Sequence, residues 1–143
     1  YHRLGMALVL QRRVDFPMID LAGIAYYPRF WDLAHRFFEE SWQHICGTDY
    51  HIILKEWKLG FPTVTNEARY ISPLRYGDTV NCTLWISEVG NSSCTWEYLF
   101  QNQNGDDVWR ATVVTVCVNM DTIEPEPIPD GLKADLLACV EPE

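Results

Sequence analysis

Long apolar runs are the first thing missing from this chain. No stretch approaches the ~20 consecutive apolar residues that a bilayer-crossing helix needs, and no secretory pattern of basic, apolar and small regions occurs. No membrane partner is therefore expected, and the cytoplasm is the expected compartment. Positive charge is scarce as well: 11 Lys and Arg stand against 20 Asp and Glu, a formal net charge of -9. A surface of that sign repels nucleic acid and anionic lipid, although a small anionic ligand needs only a local basic patch. The histidines (His2, His35, His44, His51) are scattered without metal-ligand spacing, so no metal is expected. The five cysteines (Cys46, Cys82, Cys94, Cys117, Cys139) are odd in number and lack a C-x-x-C pair. That favours buried reduced thiols over a disulfide framework. Repeats and linkers are absent too, which leaves residues 1–143 as one domain.

What the chain does have is apolar and aromatic weight, and the segment from Val14 to Cys46 organises it. A strand end leads to the loop Met18-Ile19-Asp20-Leu21-Ala22-Gly23-Ile24, in which Asp20 is the only charged side chain between Asp15 and the helix that follows. Tyr27 suits the N-cap because a residue before proline is pushed out of the α region, and Pro28 suits the first helical position. Trp31, Ala34, Phe38, Trp42 and Ile45 then recur at three- and four-residue steps. Phe30, Leu33 and Phe37 widen that stripe until burial against a sheet is required. One carboxylate thus precedes the N-terminus of a buried helix, where unpaired N–H groups gather partial positive charge. That pairing suggests chemistry at a carbonyl.

The remaining segments read mostly as strands. Leu4 to Phe16 is a first strand, and Gly47 ends the helix. Thr48 to Glu56 is a connection with an apolar patch, and Thr63 to Ile71 a strand whose approach is broken by Pro62. Ser72 to Asp78 is turn-rich. Val80, Cys82, Leu84 and Ile86 alternate with polar neighbours, as do Cys94, Trp96, Tyr98 and Phe100 after the Gly90-Asn91 turn. Asn104-Gly105 leads into a β-branched strand, Val108 to Met120. The tail from Glu124 to Asp130 is too proline-rich to pair, and Lys133 to Val140 closes as a short helix. The order of strand, long helix and four antiparallel strands gives an α+β fold, a curved sheet around one helix. The outer face, read as Trp85, Val89, Trp109, Ala111 and Val113, would need cover, so an oligomer is expected.

At Asp20-Leu-Ala-Gly-Ile-Ala-Tyr-Tyr-Pro28 the sequence resembles hotdog-fold thioesterases of the 4-hydroxybenzoyl-CoA thioesterase type. Arg75-Tyr-Gly-Asp78 looks like that family's Gly-Asp turn, and Pro127-Ile128-Pro129 like its ending. The resemblance implies a five-stranded antiparallel sheet wrapped around one long central helix, in a homodimer or homotetramer with active sites at the dimer interface. It implies cleavage of an acyl-CoA, with aromatic groups such as benzoyl or 4-hydroxybenzoyl as candidates. Coenzyme A is then part of the substrate and no separate cofactor is needed. Asp20 falls on the catalytic carboxylate, as nucleophile or general base. The Tyr27 backbone N–H falls on the donor to the thioester carbonyl, and Gly23 on the point of close backbone approach.

So few groups suffice chemically. A thioester lacks amide resonance and its thiolate leaves unprotonated, so one carboxylate and one oxyanion donor can carry hydrolysis. Tyr26, Trp57 and Phe61 are candidates to line an acyl pocket or to serve as core. His35 and His44 read as bystanders, and Arg69, Arg75 and Arg110 as candidate phosphate partners. The turn Val89-Gly-Asn-Ser-Ser93 lacks the basic cluster that some family members use for nucleotide phosphates. An acyl carrier protein therefore stands as the alternative donor. The alternative activities are a hotdog dehydratase or hydratase, disfavoured because the Asp20 loop has no histidine, and a non-catalytic acyl-binding dimer.

Overall fold

The longest helix, α1 (Pro28–Cys46), begins at the expected proline and ends where Gly47 takes φ 73°. A side chain there would be strained, whereas glycine turns the chain and donates its N–H to the Gln43 carbonyl, 3.0 Å away. This computed structural model describes residues 2–4, 7–15, 19 and 28–140. The expected strand end at Phe16, the loop with Asp20 and Gly23, the pocket candidate Tyr26 and the N-cap Tyr27 lie outside the described residues.

Upstream of α1 stand β1 (His2–Leu4) and β2 (Ala7–Arg13); downstream come α2 (Tyr50–Lys55), β3 (Leu59–Gly60), β4 (Thr63–Tyr70), β5 (Thr79–Val89), β6 (Ser93–Gln101), β7 (Asp107–Val116), β8 (Val118–Asn119) and α3 (Asp130–Leu137). The main sheet is antiparallel with order β1-β2-β5-β6-β7-β4. Five of these strands are those the sequence predicts, and the three-residue β1 extends them. β2 and β4 flank the helices in sequence yet stand on opposite sides of β5-β6-β7. The intervening chain must therefore cross one face of the sheet, and α1 lies there. Phe37 meets Phe100 edge-on, Phe38 and Trp42 meet Trp96, and Phe30 stacks on Trp109. The apolar stripe of α1 faces the inner phase of β6 and β7, and the architecture is α+β. No helix among the described residues is long and apolar enough to cross a membrane.

Several expectations are corrected. The first strand, expected from Leu4, begins at Ala7, and His2–Leu4 is a separate strand paired with it, Leu4 opposite Ala7. The connection after Gly47 contains a helix, with Ile53 buried and Ile52 and Leu54 beside it. The last long strand stops at Val116, and β8 pairs separately with β3. The proline-rich tail does pair. With prolines at 125, 127 and 129, the N–H groups of Glu126 and Ile128 share one edge, donating to the Cys117 and Asn91 carbonyls at 3.0 and 2.9 Å. The C-terminal helix begins at Asp130 rather than Lys133.

The phase of β7 is also corrected. Trp109, Ala111 and Val113 lie opposite Phe100, Tyr98 and Trp96 of β6, so they share the inner face and are buried. The outer face carries a polar cluster instead. Glu97 accepts from Arg110 (3.0 Å), Thr112 (2.7 Å) and Ser87 (2.8 Å), and the Arg110 guanidinium lies 4.7 Å above the Trp85 ring.

Candidate active site

The register of β7 with β4 places Asn66, Ala68 and Tyr70 opposite Val113, Ala111 and Trp109, on the inner face. The helix covers β6 and the inner side of β7 and reaches β4 at Tyr70, whose ring lies 5.3 Å from that of Phe30, yet all eight β4 residues are exposed. A groove of about 340 Å³ opens in the gap between α1 and β4. Trp31, Ala34, His35 and Phe38 line its helix side, Tyr50 comes from α2, and Phe61, Pro62, Thr63 and Asn66 line the opposite wall. Tyr98, Val113 and Thr115 form the floor. The i, i+3, i+4, i+7 spacing of the four helix residues puts all of them on one flank of α1.

Two polar groups in this groove belong to the framework. The Phe61 N–H donates to the Tyr50 hydroxyl at 2.9 Å, and burial pushes that phenol's pKa up more than this bond lowers it. The buried Thr115 hydroxyl accepts from the Trp96 indole N–H at 2.9 Å and donates to the Cys94 carbonyl at 3.4 Å. Burial likewise pushes the Tyr98 phenol well up. Both phenols therefore stay neutral at physiological pH. The wall is aromatic, the floor uncharged.

The structure brings some sequence candidates together and separates others. Phe61 is buried and lines the groove, whereas Trp57 is 42% exposed, follows α2 and is not part of the lining. His35 reaches the groove; His44 lies on another face of α1, in a charged cleft with Arg12, Glu40 and His51. Arg110 is committed to Glu97, while Arg69 and Arg75 are exposed. The uncharged turn after β5 is tied into the fold, its Asn91 and Ser92 carbonyls accepting from Ile128 and Cys117. Sequence reasoning missed Tyr50, Thr63 and Asn66. The signal for Asn66 was its phase, two residues ahead of Ala68 and four ahead of Tyr70 in one strand.

The start of α1 suits an anion. Its first turn contains no acidic residue, so no side chain of that turn offsets the positive end of the helix. A cysteine nucleophile is disfavoured. All five thiols are free, and burial raises Cys46, Cys82, Cys94 and Cys117, leaving little thiolate. No group of three or more metal-ligating side chains occurs among the described residues.

Among known proteins, the 1,4-dihydroxy-2-naphthoyl-CoA hydrolase of Thermosynechococcus vestitus is 28% identical over 131 residues, covering 92% of this chain and 89% of that one. A solved gentisyl-coenzyme A thioesterase matches at TM-score 0.79 and 25% identity, over 88% of this chain and 99% of its own. A thioesterase-superfamily structure from Jannaschia sp. matches at TM-score 0.90 over 99% of both chains, its 22% identity speaking to fold alone. The family model described as the Thioesterase-like superfamily matches residues 14–136, and the chain belongs to that superfamily.

Proposed function

We propose that the chain hydrolyses an aromatic acyl-CoA to the free acid and CoA, with Asp20 as nucleophile or general base. The observation that carries this reading is the superfamily match, which spans the Asp20 loop, α1 and the groove wall. The chain is an enzyme of the thioester-hydrolase class. Its relatives named for naphthoyl- and gentisyl-CoA act on aromatic thioesters, and the ring-lined groove supports the same class of substrate here. The 4-hydroxybenzoyl type is one member of that class, and the groove does not single it out.

In this mechanism the thioester carbonyl sits at the start of α1. Asp20 attacks the carbonyl carbon, forming a mixed anhydride that water hydrolyses after CoA has left, or takes a proton from the water that attacks directly. The Tyr27 N–H and the positive end of α1 hold the oxyanion, and Gly23 allows the backbone to approach closely. The C–S bond breaks and CoA leaves as a thiolate, which needs no general acid. α1 serves as the single central helix of a one-domain hotdog unit, and the active form is a homodimer or homotetramer. CoA is the preferred donor, because an acyl carrier protein, itself usually acidic, would meet a chain of net charge -9.

Asp20→Asn tests the assignment. The amide keeps volume and hydrogen bonding but is neither an anionic nucleophile nor a base. The melting temperature is expected to stay near wild type while kcat falls at least about a hundredfold. KM changes much less, since most substrate contacts lie elsewhere. Hydrolysis within a few-fold of wild type would remove Asp20 from the chemistry.

A further inference from the structure

Three polar side chains of the groove, His35, Thr63 and Asn66, have no hydrogen-bond partner among the described residues. Along β5, β6 and β7 the inner phase is apolar or aromatic apart from Thr115, whose hydroxyl is held between Trp96 and Cys94. Thr63 and Asn66 break that pattern on β4, opposite Thr115 and Val113; the longer of the two, and the one with separate donor and acceptor atoms, is Asn66. Among the described residues its carboxamide has no hydrogen-bond partner, although it lines the groove beside Phe61 and across from α1. A polar exception on an otherwise apolar face, in a cleft and without a structural partner, is where function is expected.

The chemistry of the amide narrows the ligand. A carboxamide donates and accepts, so it complements a hydroxyl. An aliphatic acyl chain in this groove would strip the amide of water and offer nothing in return. A flat ring suits the remaining walls, where Trp31, Phe38 and Phe61 present faces and edges for aromatic packing. The volume of about 340 Å³ is near the low end of small-molecule sites, about 300–1,000 Å³. That suits one or two fused rings, with the rest of a CoA thioester outside.

We propose that Asn66 is a specificity-determining residue of the acyl subsite, hydrogen-bonding a hydroxyl on an aromatic acyl group held between α1 and β4. This rests on the thioesterase reading above and assigns a substrate-reading role that reading does not contain.

The test compares kcat/KM for 1,4-dihydroxy-2-naphthoyl-CoA and 2-naphthoyl-CoA, with octanoyl-CoA as the aliphatic control, in wild type, Asn66→Ala and Asn66→Ser. Comparing the same substrate pair across variants cancels the intrinsic reactivity of each thioester. The ratio of hydroxylated to unsubstituted substrate is expected to fall about tenfold in Asn66→Ala and to recover in part in Asn66→Ser, which keeps a donor and acceptor. A ratio within about twofold of wild type in Asn66→Ala would overturn the proposal, as would an equal fall on both substrates. So would dissociation of the oligomer with the ratio unchanged, which would make this wall a subunit contact. Wild-type hydrolysis of octanoyl-CoA but of neither aromatic substrate would sink the proposal and leave the thioesterase reading standing. Hydrolysis of none of the three would sink that reading and this one with it.

Discussion

Glu97 is an acid in the middle of a sheet, 8% exposed, on the face away from α1. It is tolerated because three donors converge on it, and one of them, Arg110, is charged. The two partners are not equivalent. Arg110 keeps about a third of its side chain in water and can be rehydrated, whereas Glu97 cannot. Losing the arginine strands a buried carboxylate; losing the negative charge strands nothing comparable. Arg110→Ala also loses the packing over Trp85. It should therefore cost about 2 kcal/mol, less than a fully buried pair because the guanidinium is partly solvated. Glu97→Gln, which can still accept from Thr112, should cost about 1 kcal/mol or less. Urea unfolding of the two variants checks the order, and equal losses would mean that Trp85 packing rather than charge dominates.

At the scale of elements, β4 explains why an oligomer is expected. The apolar residues that seemed to need cover on β7 are already under the helix, so that part of the argument falls. β4 replaces it: a full-length edge strand, exposed on both faces, with Val64 56% and Tyr70 46% exposed. No strand among the described residues pairs with its outer edge, and such an edge is a template for another strand, with no proline between Thr63 and Tyr70 to prevent pairing. Sedimentation velocity at micromolar concentration is expected to show a dimer or larger species, and a stable monomer would count against both the oligomer and a shared active site. How much could be read beforehand follows from the same strands. β5 and β6 were legible because apolar and polar residues alternate cleanly from Val80 to Ile86 and from Cys94 to Phe100. β7 was legible as a strand but its inner face was not, because Val113-Val114-Thr115-Val116 is apolar or β-branched in both phases, and only its register with β6 fixes the face. α2 was missed because Ile52-Ile53-Leu54 carries no helical period in so short a stretch. Of the groove, only Phe61 was named beforehand as a candidate for an acyl pocket. Trp31, Tyr50, Phe61, Asn66 and Val113 come from five separate segments, and periodicity reports one segment at a time. Asp20 stood out as the only charge between Asp15 and the helix, and its expected catalytic role came from resemblance to a family pattern.

Across the whole molecule, the buried acids set an alkaline limit. Burial raises the Cys82 and Cys94 thiols above their ordinary value of 9.0 and the Tyr98 phenol above its 10.0; Cys117 is pushed up to about 11. A raised pKa in the folded chain means that the unfolded chain loses its protons first. Below the ordinary thiol value of 9.0 both states are protonated and these groups contribute in full. As pH climbs past it, ionisation draws the unfolded state down while the folded thiols hold on, so stability falls towards the folded values. Each such group removes at most about 1.4 kcal/mol per pH unit within that window. Thermal melts in excess reductant are expected to be flat near neutrality and to drop steadily up to about pH 10.5. The double variant Cys82→Ala, Cys94→Ala is expected to be less stable at neutral pH, from lost packing, and yet to fall more gently with rising pH. That crossing of effects separates titration from packing. If the two slopes matched, the thiols would not be the groups that titrate.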